Sequence, residues 1–289
     1  MKLWNVNIEK QFFKEALKNF SSKEKIFYLL GNDYFAYIPK ECEGNGETLQ
    51  SRNSLIGQFT EKWAKDLFSD IAKEFSLYAI NGIICEEIAL TKKSSCDLAI
   101  CTKNSIYQDP KDIKVIFEIK MSIVSNYKLV DGGLLYLGDY KTHKGIPSLL
   151  RSDSMLKAIG KAVNIRVSSL KSAKIPIIVL GNSPIQDSYI KKVDFLKNGG
   201  LIQGFWSLNP NPLFNSDNYI KNSPKMGFQT IETIDNLHIQ IKNLLSNEFN
   251  YFSSMNSKED LGNIIFISSQ EKTNEKRAEK FLSLIREQL

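Results

Sequence analysis

An α/β fold, a mixed β-sheet core flanked by helices, is predicted by three observations in this 289-residue chain. The stretch 54–75 repeats Phe59, Trp63, Leu67, Ile71 and Phe75 at every fourth position, the spacing of one helix face. Three short apolar runs follow at 83–90, 97–102 and 114–120, with polar turns between them. A second helical stretch, 154–170, then leads into a buried-type strand at 175–180. Helix, three-stranded meander, helix and strand in that order make an α/β core.

The remaining elements extend that core at both ends. Residues 7–31 carry Phe12, Phe13, Ala16, Leu17, Phe20 and then Ile26, Phe27, Leu29 and Leu30, which reads as two helices broken at Ser21-Ser22. The segment 38–53, with Pro39, Gly44, Asn45 and Gly46, reads as a loop, and Asn81-Gly82 as a turn before the first strand. Residues 126–148 suggest a loop with some strand. On 154–170 the apolar side is read as Leu156, Ile159, Val163, Val167 and Leu170. A helix at 189–198, a strand at 201–208, a loop at 209–228 and helices at 229–252 and 274–289 complete the chain. The reading is one domain over 1–289, with a core at about 54–181, an N-terminal helical segment at 1–50 and C-terminal elements at 200–289.

Composition narrows the function classes. The apolar fraction of 42% supports a sizeable core, and the net charge of +6 permits a polyanionic partner without demanding one. Cys42, Cys85, Cys96 and Cys101 form no CxxC pair, and only two histidines occur, which argues against a zinc site. No apolar run reaches the length of a membrane span, and the start MKLWNVNIEKQFF is charged, so a cytoplasmic protein with reduced thiols is expected.

The chemistry concentrates at two strands. Asp97 heads Leu98-Ala99-Ile100-Cys101, and Glu118 and Lys120 close Val115-Ile116-Phe117-Glu118-Ile119-Lys120. Side chains alternate along a strand, so Glu118 and Lys120 face one way while Ile119 points into the core. If the strands are neighbours, two carboxylates meet one lysine in a buried sheet. Such an arrangement is costly unless used, and it suits a hard divalent cation and a water beside a phosphodiester. The alternative is a buried ion pair at a strand end.

Asp97 followed after twenty intervening residues by Glu118-Ile119-Lys120 resembles the PD-(D/E)xK nuclease superfamily, which includes many type II restriction endonucleases. The resemblance covers roughly 54–181, and Cys96 stands where that family often has proline. It implies a restriction-endonuclease-like core with extra N- and C-terminal helices. It further implies a Mg²⁺ cofactor, with Asp97, Glu118 and the Ile119 carbonyl as metal ligands and Lys120 as the group that positions water. The family often adds an acid from the preceding helix. Glu61, on a face with Gly57 and Lys65, fits that habit; a surface Glu61–Lys65 pair is the plainer reading, and Glu86 or Glu87 could substitute.

Basic residues near the motif suggest contacts to a phosphate backbone: Lys157 and Lys161 with Asn164 on the second helix, Arg151 flanking it, and His143 and Lys144 in the loop before it. A solvated helix face is the alternative. Asn209, Asn211, Asn215, Asn218 and Asn222 could read adenine in a major groove or simply form a surface loop. The resemblance therefore implies a Mg²⁺-dependent endonuclease for a short sequence in double-stranded DNA. A homodimer and a cognate DNA methyltransferase in the same system are the expected partners. A repair or defence nuclease that reads structure or methylation, and a non-catalytic DNA-binding protein, are the alternatives.

Overall fold

The computed structural model describes residues 2–19, 22–43, 48–131, 133–213, 219–246 and 256–287. Over these the chain runs α1 (Val6–Asn19), β1 (Tyr28–Leu30), β2 (Asp33–Phe35), α2 (Gln50–Glu74), β3 (Tyr78–Asn81), β4 (Leu98–Cys101) and β5 (Ile113–Ile119). It continues through β6 (Asn126–Val130), β7 (Gly133–Gly138), α3 (Ser152–Ser168), β8 (Ile177–Gly181), α4 (Ile190–Asn198) and β9 (Gly204–Ser207). The last elements are β10 (Phe228–Thr230), α5 (Ile234–Ser246), α6 (Lys258–Ser269) and α7 (Asn274–Glu287). The architecture is mixed α/β with two sheets. No helix among the described residues is long and apolar enough to cross a membrane.

The larger sheet has the order β10-β9-β8-β5-β4-β3. β3, β4 and β5 form an antiparallel meander, and β8 joins β5 in parallel after the α3 crossover. Alternation along the strands sorts the core into two layers. Leu98, Ile100, Val115, Phe117, Ile178 and Leu180 face α1, α2 and α5, where they meet Trp63, Leu67, Phe68 and Ile71. Ala99, Cys101, Ile116, Ile177 and Val179 face α3 and α4. Trp63, Leu67 and Ile71 are buried as their four-residue spacing predicts, and each such side chain stabilises the fold by about 1.5–3 kcal/mol.

Several elements differ from the sequence expectation. The edge strand of the meander is β3, ahead of the Asn81-Gly82 turn, and not 83–90. Gly82 turns the chain at φ +67°, and Cys85 and Leu90 then hydrogen-bond each other across a short 3-10 turn over Glu86–Ile88. The apolar run Ile83, Ile84, Cys85, Ile88 and Leu90 is buried without forming a strand, and Glu86 and Glu87 are left in solvent.

Ile26 to Leu30 is not helical: a 3-10 turn leads into β1, whose partners β2, β6 and β7 make a second, antiparallel sheet. Arg52 of α2 ties that sheet down. Its buried guanidinium donates to the carbonyls of Ile26 and Ala36 and lies 5.1 and 4.8 Å from the rings of Tyr28 and Tyr37. At the C-terminal end, 229–252 divides into β10 and α5, and α6 is an additional helix. Phe20, Ser21, Gly44, Asn45 and Gly46 lie outside the described residues, as does 247–252 of the expected helix.

Candidate active site

Antiparallel pairing of Leu98 with Phe117 and Ala99 with Ile116 brings Asp97, one residue ahead of β4, beside Glu118. The Asp97 carboxylate is held there by the main chain: the Ile119 N–H donates to Oδ2 at 2.7 Å. Cys96, at the position the resemblance would fill with proline, is buried and donates its thiol to the Leu98 carbonyl at 2.9 Å. Burial pushes that thiol well above its ordinary pKa, so it packs as a small apolar group.

Lys120 turns its ammonium back onto both acids, 2.6 Å from Glu118 Oε1 and 3.7 Å from Asp97 Oδ2. Its backbone is fixed on both sides. The Lys120 N–H donates to the Leu180 carbonyl at 2.7 Å, and its carbonyl accepts from Ser148 Oγ at 2.6 Å. Ser148 is buried and held at φ +49°, a left-handed conformation that a non-glycine residue adopts only where its surroundings impose it. Asn182, fully buried, accepts from Ser122 N at 3.1 Å, donates to Ser122 O at 2.6 Å and donates its own N–H to Ser148 Oγ at 3.0 Å. Strand β8 and the loop before α3 thus hold the chain immediately after the lysine.

The site contains a second lysine that the sequence reading placed elsewhere. Lys161, expected on an outward basic face of α3, lies 2.6 Å from Glu118 Oε2 and 3.2 Å from Asp97 Oδ1. The reason is the rotation of α3. Its buried face is Met155, Ala158, Ala162 and Ile165, while Leu156, Val167 and Leu170 are 61, 71 and 74% exposed. The two alanines let the helix approach the sheet closely, and that face carries Lys161 inward. The i, i+3, i+7 spacing of Met155, Ala158 and Ala162 was the available signal; the larger, branched residues beside it obscured it.

Each lysine takes one oxygen of each acid, so two ammonium groups balance two carboxylates. Burial raises the Glu118 pKa and the Asp97 charge adds to it, against the opposing pull of Lys120 and Lys161. Burial alone would lower the Lys161 pKa, but Asp97 and Glu118 outweigh it and the pKa is raised. Glu61, on α2, is half-buried at the margin of this group. Its pKa is raised by desolvation and then by Asp97, with Lys120 and Lys161 acting in the opposite sense.

The donors suit a hard cation. Asp97 and Glu118 supply carboxylate oxygens, the Ile119 carbonyl is 3.3 Å from Lys120 Nζ, and the buried Glu118 Oε2 accepts no well-aligned hydrogen bond despite its ion pair. Mg²⁺ commonly needs only one or two protein carboxylates, completing its shell with water and phosphate. Among the described residues no third Asp, Glu, His or Cys converges on the same position, so Glu61 flanks the pair without completing a three-acid set. Glu86 is exposed, and Glu87 pairs with Lys171 on the surface; neither joins the site.

The other basic candidates separate into two groups. Arg151 and Lys157 are exposed and share Asp153 at 3.4 and 3.1 Å, and the Lys144 side chain is exposed. His143, in contrast, is buried and not on a phosphate-facing surface. Its ring stacks on Tyr37 at 4.1 Å, and Nε2–H donates to the Val124 carbonyl at 2.9 Å. Asn209 is likewise buried and donates to the Asn182 carbonyl at 3.3 Å, so it supports the Asn182 network and does not present itself to a base. Asn211 and Asn222 are exposed, and Asn215 and Asn218 lie outside the described residues.

Burial pushes the His143 pKa down to about 4 from 6.5. Between those values the unfolded chain binds a proton that the folded protein refuses, so stability must fall on acidification from about pH 6.5 to pH 4. The shift corresponds to a loss of about 3 kcal/mol across that window. Urea unfolding at pH 7 and pH 4.5 should show a steeper loss for wild type than for His143→Gln, which keeps a donor but does not titrate. Equal losses in the two proteins would exclude His143 as the source.

No family model, curated protein or solved structure matches this chain. The functional reading therefore rests on the residues themselves.

Proposed function

We propose that this protein is a Mg²⁺-dependent endonuclease of the PD-(D/E)xK type that cleaves double-stranded DNA at a short sequence, as type II restriction endonucleases do. The observation that carries the reading is the convergence of Asp97, Glu118 and Lys120 from the ends of adjacent strands onto one point. The restriction-endonuclease-like core is part of the same proposal: a meander continued by a parallel strand, with α2 before it and α3 within it.

In this reading Asp97, Glu118 and the Ile119 carbonyl hold the cation. When bound, it would polarise the scissile phosphate and lower the pKa of a water. Asp97 is pre-aligned by the Ile119 N–H, so its carboxylate does not have to be ordered on loading. Lys120, its backbone clamped at both N–H and carbonyl, places an ammonium where it can orient the attacking water and stabilise the charge that develops on phosphorus-bound oxygens. Glu61, with its raised pKa, is a candidate to exchange a proton with water at the edge of the site. Arg151, Lys157 and Lys144 are exposed and suited to phosphate contacts. A homodimer matches a palindromic target, and α6 leaves Ile265, Phe266 and Ile267 exposed for such an association.

The test is digestion of plasmid DNA by purified protein in Mg²⁺ and in EDTA, beside Lys120→Ala. Discrete bands that need Mg²⁺ and fall by roughly 10³-fold in the variant are expected. No cleavage in Mg²⁺ or Mn²⁺, on methylated and unmethylated DNA alike, would refute the proposal. Smears would refute the sequence specificity alone.

A further inference from the structure

We infer that Lys161 is a displaceable internal counter-ion that pairs with both Asp97 and Glu118 and must be displaced for a divalent cation to bind them. The inference rests on the nuclease reading of those two acids and adds a control on how the site is loaded.

Three observations carry it. Lys161 Nζ touches one oxygen of each acid, 3.2 Å from Asp97 and 2.6 Å from Glu118, and so engages the same two carboxylates that would hold a cation. Lys120 already takes the other oxygen of each, so the four charges sum to zero without any ion. Adding a divalent cation would leave a largely enclosed site with two excess positive charges, since the side chains of Asp97, Glu118, Lys120 and Lys161 are only 18, 8, 19 and 18% exposed.

Of the two ammonium groups, Lys161 is the one free to leave. Lys120 is bound through its own backbone to Leu180 and Ser148 and projects from the end of β5. Lys161 reaches the acids from α3, a separate element, on a long side chain one turn beyond exposed Lys157. A DNA phosphate is the natural acceptor for the displaced ammonium, because it would restore the charge balance as the cation enters.

The free protein, without DNA, is the system to measure. Mn²⁺ titration followed by electron paramagnetic resonance should show Lys161→Met binding about tenfold more tightly than wild type, because the methionine fills the space without competing for the acids. Equal or weaker binding by the variant, with wild type still binding Mn²⁺, would overturn the counter-ion role and leave the metal reading standing. Absence of Mn²⁺ binding in both proteins would overturn the two together.

A measurement on wild-type protein decides the matter if Lys161→Met does not fold. Acetic anhydride labelling read by mass spectrometry should show Lys161 becoming several-fold more reactive at saturating Mn²⁺, with Lys157 as the exposed internal reference. Unchanged Lys161 labelling under those conditions would overturn the inference.

Discussion

Glu118→Ala is expected to abolish Mg²⁺-dependent cleavage, by at least about 10³-fold, and also to destabilise the metal-free protein by about 3–5 kcal/mol. Both effects follow from one arrangement. Glu118 is 6% exposed, and its two oxygens each hold an ammonium at 2.6 Å. Removing it leaves Lys120 and Lys161 enclosed with Asp97 alone, at 3.7 and 3.2 Å. A partly buried pair is costly to break from one side because the surviving charge stays desolvated. The result should be a lower urea midpoint in EDTA together with loss of activity. Asp97→Asn separates the two effects: its amide oxygen can still accept from the Ile119 N–H, so cleavage should fall about as far while stability falls less. Wild-type activity in either purified variant would show that phosphodiester chemistry, if present, resides elsewhere. An unchanged urea midpoint for Glu118→Ala would show that the four-charge cluster contributes little to stability.

Much of the candidate site was legible because it depends on short-range geometry. Strand alternation alone placed Glu118 and Lys120 on one side, and the acid-headed apolar run put Asp97 next to them on the condition that the two strands pair, which they do. The four-residue stripe of α2 was equally plain, since Trp63, Leu67 and Ile71 are large and buried. The misplaced elements are those where apolar content exceeds what one face can hide. In α3 the branched residues Leu156, Val163 and Val167 suggested one face, whereas packing selected the side with Ala158 and Ala162, and that rotation turned Lys161 inward. In 83–90 an apolar run imitated a strand, although Gly82 and the Cys85–Leu90 contacts fold it into a loop. Ser148 and Asn182 had no local signature at all, because their role depends on long-range proximity to Lys120 and Ser122.

Glu9→Ala should cost about 3–5 kcal/mol of stability, as much as any single core truncation, although it lies outside the candidate site. Glu9 is 1% exposed and accepts from Trp4 Nε1 at 3.0 Å, Val124 N at 2.7 Å, Ser125 N at 3.1 Å and Tyr127 OH at 2.8 Å. Its removal orphans four buried donors at about 1 kcal/mol or more each. Glu9→Gln is expected to recover only part of the loss, because its NH₂ group would face donors. Urea unfolding at pH 7 measures the cost. Hydrogen exchange at Val124 and Ser125, which follow Lys120 by four and five residues, should show the local opening first. A change below about 0.5 kcal/mol would mean that water replaces the carboxylate and that the clasp is dispensable. The contrast with Glu118 separates structure from chemistry. Burial raises the pKa of both acids, but Glu9 is answered by neutral donors, which fix α1 to the segment after β5. Glu118 is answered by two ammonium groups, Lys120 and Lys161, so its burial is balanced by opposite charge and not by neutral donors.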